Sequence, residues 1–346
     1  MKRVRKKLFL FFVLLLLMNV TACNKSTGDN RVTRTNFLLD TIIQITAYGP
    51  NAEDAIIAAF DRISDIQNKM TAVGHGSEIT KINDAAGISF QKMSPDTFFV
   101  LKRGLYYSEK FKGRFDITIG PLVKLWGIGT EDARVPSAKE IENALEKVNY
   151  KALKLNEQEN SAMLENEGMS IDLGAIAKGY AADEVIRILK ERGIKSAVAD
   201  LGGNIFVLGH KPDGSPWRVG IQNPFDSRGS TFAIVEVTDK TLVTSGIYER
   251  YFEENGKRYH HILDTYTGYP VENDLASVTI FSDSSIDADA LSTSIFSLGL
   301  KEGIKQVEAI PDTEAIFVTK DYKVYITSGV KDYGFKITDQ RFELVN

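Results

Sequence analysis

The sequence predicts an α+β protein built on mixed, mostly antiparallel sheets with packed helices. Two patterns carry that expectation. Over residues 196–248 the segments with period-two alternation follow one another through turns, with no helices between them, which argues against a doubly wound βα repeat. Elsewhere apolar residues recur at helical spacing, as in Ala55, Ile56, Ala59, Phe60, Ile63, Ile66 and Met70. The 346 residues are 43% hydrophobic and 25% charged, enough apolar content to bury a core.

In chain order, residues 37–48 read as a strand, with Ile43, Ile45 and Ala47 alternating against Gln44 and Thr46. A helix starts at Asn51, a shorter one covers residues 77–83, and residues 88–93 suit a strand. Ser94-Pro95-Asp96 opens a helix running to about Phe111. Residues 113–129 read as irregular, punctuated by Gly113, Gly120, Gly127 and Gly129. An amphipathic helix follows over 137–148, then short strands to about Asp172, then a helix over 175–192 stopped at Gly193. Residues 196–208 read as two strands broken at Gly202-Gly203, with further strands over 217–221, 231–237 and 241–248. Asn255-Gly256 marks a hairpin turn within 251–261. A strand over 277–281 leads into a helix from about Ile286, and strands over 315–319 and 323–327 close the chain.

The first residues follow a different rule. Lys2, Arg3, Arg5, Lys6 and Lys7 precede an apolar run over 8–18, the pattern of a secretory leader and too short for a comfortable membrane span. Val20-Thr21-Ala22 stands before Cys23, the only cysteine, and resembles the lipobox of bacterial lipoproteins. The expected layout is a lipoprotein signal peptide over 1–22, lipidated Cys23 opening a polar tether over 23–36, and a catalytic domain over 37–346, either undivided or in two subdomains. The corresponding location is extracytoplasmic, lipid-anchored to the cell membrane. No further cysteine remains for disulfides or cysteine-based zinc sites. Without the five basic residues of 1–22, 37 of the 42 lysines and arginines face 46 acidic residues, a balance of −9. So acidic a chain, with no other basic run, argues against nucleic acid as a partner.

Four stretches carry residues suited to chemistry. Asp289 and Thr293 stand four apart on the last long helix and share a face. Their hard oxygens suit Mg2+ better than Zn2+, although a cap plus a solvated side chain would also explain them. In Ser170-Ile171-Asp172-Leu173-Gly174-Ala175-Ile176-Ala177-Lys178, a strand ends and a helix begins, so free N–H groups and Lys178 could hold an anion. Asp172 there serves as an N-cap, a metal ligand or an acceptor from a ligand. His261 and Asp264 form a His-x-x-Asp pair compatible with general-base chemistry, although a structural histidine would also explain it; adjacent strand residues face opposite ways, so of His260 and His261 one at most enters a site. Phe115-Asp116-Ile117-Thr118 could receive a flat heteroaromatic ring or form a buried turn. Walker A, GxGxxG and GxSxG motifs are absent.

Taken together, residues 70–83, 115–129, 171–183 and 261–296 resemble, in order, the ApbE family of FAD:protein FMN transferases. The resemblance extends from about Phe37 to the end and implies an ApbE-like, T-fold-related architecture. It implies Mg2+-dependent transfer of FMN from FAD to a threonine hydroxyl of an acceptor protein, with release of AMP. The same resemblance assigns Mg2+ to the Ala175 carbonyl, Asp289 and Thr293, and FAD contacts to Leu39, Arg114, Phe115, Asp116, Asp172, Lys178 and Leu263. It makes His261 the base for the acceptor threonine, or the group that orients it. Three positions depart from the family pattern: Val73 replaces a tyrosine, Ser292 replaces an aspartate found in some members, and Thr265 replaces a proline. FAD hydrolysis to FMN and AMP, and lipid-anchored flavin binding without turnover, are the competing expectations.

Overall fold

A computed structural model describes residues 30–346. The expected signal peptide and the first half of the tether, Cys23 included, lie outside the described residues. A nine-stranded sheet in the order β1-β2-β6-β7-β10-β13-β14-β15-β17 organises the rest. Its strands are β1 (Arg31–Leu38), β2 (Thr41–Tyr48), β6 (Ser196–Leu201), β7 (Asn204–Leu208), β10 (Lys240–Gly246), β13 (Leu275–Ser282), β14 (Glu314–Thr319), β15 (Lys323–Ile326) and β17 (Glu343–Leu344). Neighbours pair antiparallel except β15 and β17. β13 is buried along its whole length and carries only apolar and small hydroxyl side chains, with no charge.

The two faces of this sheet are covered differently. Val243 of β10 and Val278 and Ile280 of β13 point into the larger core. That core is completed by helices α1 (Ala52–Met70), α2 (Glu78–Asp84), α3 (Pro95–Lys110), α6 (Ala177–Glu191), α7 (Ser285–Leu298) and α8 (Leu300–Glu308). The alternate residues Leu242, Ala276 and Phe281 face Trp217, Phe232 and Val235 on a small sheet of β8 (Trp217–Gln222), β9 (Thr231–Val237) and β16 (Lys336–Ile337). A third apolar cluster joins Leu122 and Trp126 of α4 (Gly120–Trp126) to Ile141 and Ala144 of α5 (Ala138–Leu145) and to Leu263. The remaining strands are β3 (Gln91–Lys92), β4 (Leu153–Asn156) and β5 (Ser161–Leu164), forming one small sheet, and the hairpin of β11 (Tyr251–Glu254) and β12 (Lys257–His260). Antiparallel α+β is the observed class.

Several boundaries differ from the sequence reading. Residues 31–36, expected as tether, form most of β1, and the single strand expected over 37–48 is the second half of a hairpin. Its turn is Leu39-Asp40, both in the left-handed region at φ 52° and 55°. Neither residue advertises such a turn, as Asn-Gly would. The strain is held from outside: Gln67 Oε1 accepts from the Leu39 N–H at 2.6 Å, and Arg250 Nη2 donates to the Asp40 carbonyl at 3.3 Å. Residues 88–93 contribute only the two-residue β3, and the irregular stretch 113–129 contains α4, whose glycine ends it at φ 59°. Helix α8 follows α7 after Gly299 and was not anticipated.

An ion-pair network locks α6 against α1 and α3. Arg62 donates to both Asp96 oxygens (2.8 and 2.7 Å) and to Glu184 (2.8 Å), while the Tyr180 hydroxyl donates to Asp96 at 2.8 Å. Arg62 holds the Asp96 carboxyl well below the usual carboxylate range. A lowered folded-state pKa means the stabilisation is present above the unfolded value and is lost as pH falls toward the folded one. Asp96→Asn is expected to cost about 2–3 kcal/mol of unfolding free energy at pH 7. In urea titrations the gap between the two proteins should narrow below about pH 4.

Candidate active site

The crossing of α6 and α7 brings the first two sequence-predicted groups together. Asp289 is 4% exposed, and its Oδ2 accepts the Gly179 N–H at 2.8 Å. In an uninterrupted helix that N–H would go to the carbonyl four residues earlier, Ala175. Diverting it to Asp289 leaves the Ala175 carbonyl with no hydrogen bond among the described residues. Close approach of the helices requires glycine here: a Cβ on residue 179 would lie 2.6 Å from Ile286 Cα and 2.7 Å from Asp289 Cβ. Burial raises the Asp289 carboxyl, opposed by the charge of Lys178 and by the Gly179 N–H.

One turn along, the half-buried Thr293 Oγ1 lies 3.3 Å from Ser245 Oγ on β10, and Ser245 Oγ lies 2.8 Å from Ser292 Oγ. Ser292 in turn donates to the Asp289 carbonyl at 2.9 Å. The start of α7 is fixed by Asp183, a residue not singled out from sequence. Its Oδ1 and Oδ2 accept from the Ser285 and Ile286 N–H groups at 2.8 and 2.9 Å, and burial pushes its carboxyl up to about 6.

The start of α6 has no side-chain cap. The N–H groups of Ala175 and Lys178 have no acceptor among the described residues, the situation that favours an anion. Asp172 Oδ1 accepts from Gly174 N–H at 2.8 Å and so organises the turn into the helix. Burial raises Asp172, countered by the Gly174 N–H, Arg250 and Lys178. Lys178 Nζ donates to the Gly174 carbonyl at 3.1 Å, and its charge acts on Asp172, Glu249, His261 and Asp289. Arg250 acts on Asp172, Glu249 and His261 as well, so two cations share the electrostatics of the site.

The two histidines have different surroundings: His260 ends β12, and His261 lies in the bend that follows. His260 is buried, with Nε2 3.0 Å from the Val271 carbonyl. His261 Nδ1 lies 3.2 Å from the Arg250 carbonyl. A carbonyl only accepts, so Nδ1 carries the proton and Nε2 holds the free lone pair of a base. Burial, then His260, Lys178 and Arg250, lower the His261 pKa to about 3. Asp264 is not its partner, contrary to the His-x-x-Asp reading. Its Oδ1 accepts from Tyr266 and Thr267 N–H groups at 2.7 and 3.2 Å, and its Oδ2 from Arg114 Nη1 at 3.2 Å.

That turn clasps the segment around Arg114. Thr265 Oγ1 donates to the Gly113 carbonyl at 2.5 Å and Tyr266 Oη to the Lys112 carbonyl at 2.6 Å. The Arg114 guanidinium lies 4.9 Å from the centre of the Tyr266 ring. The side chains beyond Arg114 form a buried turn and offer no ring-binding face. Phe115 is 3% exposed, edge-on to Tyr107. Asp116 accepts from the Thr118 hydroxyl and N–H, both at 2.7 Å, and from the Tyr150 N–H at 3.0 Å. Leu263 is packed beside Trp126. Leu39 sits in the turn held by Arg250, and Val73 is exposed. Backbone contacts join 115–119 to 170–172, with Asp172 N–H donating to the Ile117 carbonyl at 2.9 Å and Gly120 N–H to the Ser170 carbonyl at 3.1 Å.

Sequence reasoning missed Gly179, Asp183, Ser245 and Arg250. The first two lie inside the 171–183 motif and the last beside the strand at 241–248; their roles depend on which element they meet. Among the described residues no group of three or more His, Cys, Asp or Glu could hold a metal ion. A cation here would be bound by one carboxylate with neutral oxygens and ligand phosphates.

A model described as the ApbE family matches residues 39–317. The chain is 32% identical to an FAD:protein FMN transferase of Treponema pallidum, over 95% of each chain. It is 35% identical to one of Klebsiella pneumoniae, covering 90% of this chain and 99% of the relative. Among solved structures, the ApbE protein of Thermotoga maritima superposes with a TM-score of 0.81 at 31% identity, covering 88% of this chain and 99% of that one. The flavin transferase ApbE of Vibrio cholerae gives 0.79 at 28% identity, with the same coverage.

The environment of His261 makes a direct prediction. In a nitrogen-15 NMR pH titration it should stay neutral, protonated on Nδ1, from pH 8 to pH 5. A midpoint near the free-histidine value of about 6.5 would contradict the burial and cation effects described.

Proposed function

The chain belongs to the ApbE family, and we propose that it transfers FMN from FAD to a threonine hydroxyl of an acceptor protein, releasing AMP, with Mg2+ bound at Ala175, Asp289 and Thr293. The observation that carries the metal reading is the diverted Gly179 N–H. It leaves a free carbonyl at Ala175, four residues before the N–H that binds the buried Asp289 carboxylate, and Asp289 stands one turn from the Thr293 hydroxyl along α7. Three hard oxygens with a single charge suit Mg2+ that also takes substrate phosphate oxygens. The ion would supply charge neutralisation at the pyrophosphate.

The protein's own groups account for the remaining chemistry. Lys178 and the free N–H groups at the start of α6 bind the FAD pyrophosphate, which this acidic chain could not hold by bulk charge. His261 Nε2 takes the threonine proton as the hydroxyl oxygen forms a bond to the FMN phosphorus. The bond from that phosphorus to the bridging oxygen breaks, and AMP leaves with the oxygen. Phosphoryl transfer of this kind depends on alignment and charge more than on covalent help from the enzyme. Arg114 and the backbone of Leu39, Phe115, Asp116 and Leu263, with Asp172, are assigned to FAD.

The apolar run over 8–18 and the lone Cys23 support a lipid-anchored, extracytoplasmic enzyme. Among the described residues no helix is long and apolar enough to cross a membrane.

Incubation of the protein with FAD, Mg2+ and a threonine-containing acceptor should add the mass of FMN to that threonine. Asp289→Ala should lower the transfer rate by about 100-fold or more. Full activity in Asp289→Ala would refute the metal assignment. AMP release at a rate indifferent to acceptor would identify a hydrolase instead.

A further inference from the structure

Building on the metal reading above, we propose that Ser245 and Ser292 are positioning residues that aim the lone pairs of the Thr293 hydroxyl at the cation. The number of hydroxyl protons fixes the direction of each bond. Ser292 Oγ is 2.9 Å from the Asp289 carbonyl, which can only accept, so the single Ser292 hydroxyl proton is committed there. The 2.8 Å contact between Ser245 Oγ and Ser292 Oγ then needs the Ser245 proton. Ser245 has no proton left for its 3.3 Å contact with Thr293 Oγ1, so Thr293 is the donor in that bond. Thr293 thus turns its proton toward β10 and keeps its lone pairs free.

A free hydroxyl is both donor and acceptor and would present its proton to a cation in some orientations. The relay removes those orientations before the ion arrives. It begins at the backbone of Asp289, the carboxylate assigned to the same ion, so one residue fixes two ligands. Ser292 is 0% exposed and no bulk water competes for its proton. Relayed hydrogen bonds also polarise one another, which strengthens the acceptor character at the end of the chain. Ser292 is one of the departures from the family pattern, and the relay gives it a role without a carboxylate.

The test reads metal affinity directly: Mn2+ is titrated into FAD-free protein and the free ion is followed by its paramagnetic resonance signal. Ser292→Ala should raise the dissociation constant about tenfold, because the released Ser245 proton turns to Thr293 and pushes the Thr293 proton outward. Ser245→Ala should raise it only about threefold, since Thr293 then loses its guide without being reversed. The double variant should stay near threefold, because removing Ser245 also removes the misdirected proton. An unchanged constant in Ser292→Ala, or a loss of about thirtyfold in the double variant from simple additivity, would overturn the relay. Asp289→Ala separates the two claims. If it abolishes Mn2+ binding while Ser292→Ala is unaffected, only the relay fails. If it binds Mn2+ as tightly as the parent, the metal site itself fails.

Discussion

The hydrogen bond from the Gly179 N–H to Asp289 is the constraint on which the rest of the site depends. It exists because α6 contributes no side chain where it crosses α7 at residue 179, and only glycine there permits the approach. The bond does three things at once. It satisfies part of a buried carboxylate, it releases the Ala175 carbonyl from the helix, and it fixes the rotation of α7 so that Thr293 faces β10. The surrounding elements serve that crossing. Arg62 with Asp96 and Glu184 pins α6 from behind, and Asp183 caps α7 at its first turn.

A second constraint is electrostatic. An acidic protein that binds a pyrophosphate has to concentrate positive potential where the phosphates lie. Lys178 is proposed to do so at the head of α6, where the helix offers N–H groups with no acceptor among the described residues. Its charge also helps keep His261 neutral. The imidazole proposed as base is therefore neutral without any carboxylate partner, and the Arg250 carbonyl selects its tautomer. In the proposed function, anion binding and base chemistry would both draw on one cation placed between them.

Much of the fold was legible in the sequence because its signals are local. Alternation in β6, β7, β9 and β10, the helical period of α1, and Asn255-Gly256 between β11 and β12 all announce themselves within a few residues. The β1–β2 turn did not, because Leu39-Asp40 takes its positive φ values from contacts with Gln67 and Arg250, distant in sequence. In the site, Asp289, Thr293, Lys178 and His261 were visible as residue types in motifs. Pairing His261 with Asp264 failed because the Asp264 carboxylate folds back on its own turn to order Tyr266, Thr267 and Arg114. The importance of Gly179 and Ser245 could not be read from spacing, since each is defined by what packs against it from another element.

The central claim is that the α6–α7 crossing forms a cation site beside a pyrophosphate-binding helix start. Crystals grown with Mn2+ and ADP test it most directly, through the anomalous signal of the metal. One peak is expected about 2.2 Å from the Ala175 carbonyl, an Asp289 carboxylate oxygen and Thr293 Oγ1, with the ADP phosphates completing the coordination. A Mn2+ peak seen only at surface carboxylates, with ADP phosphates away from Lys178, would contradict it.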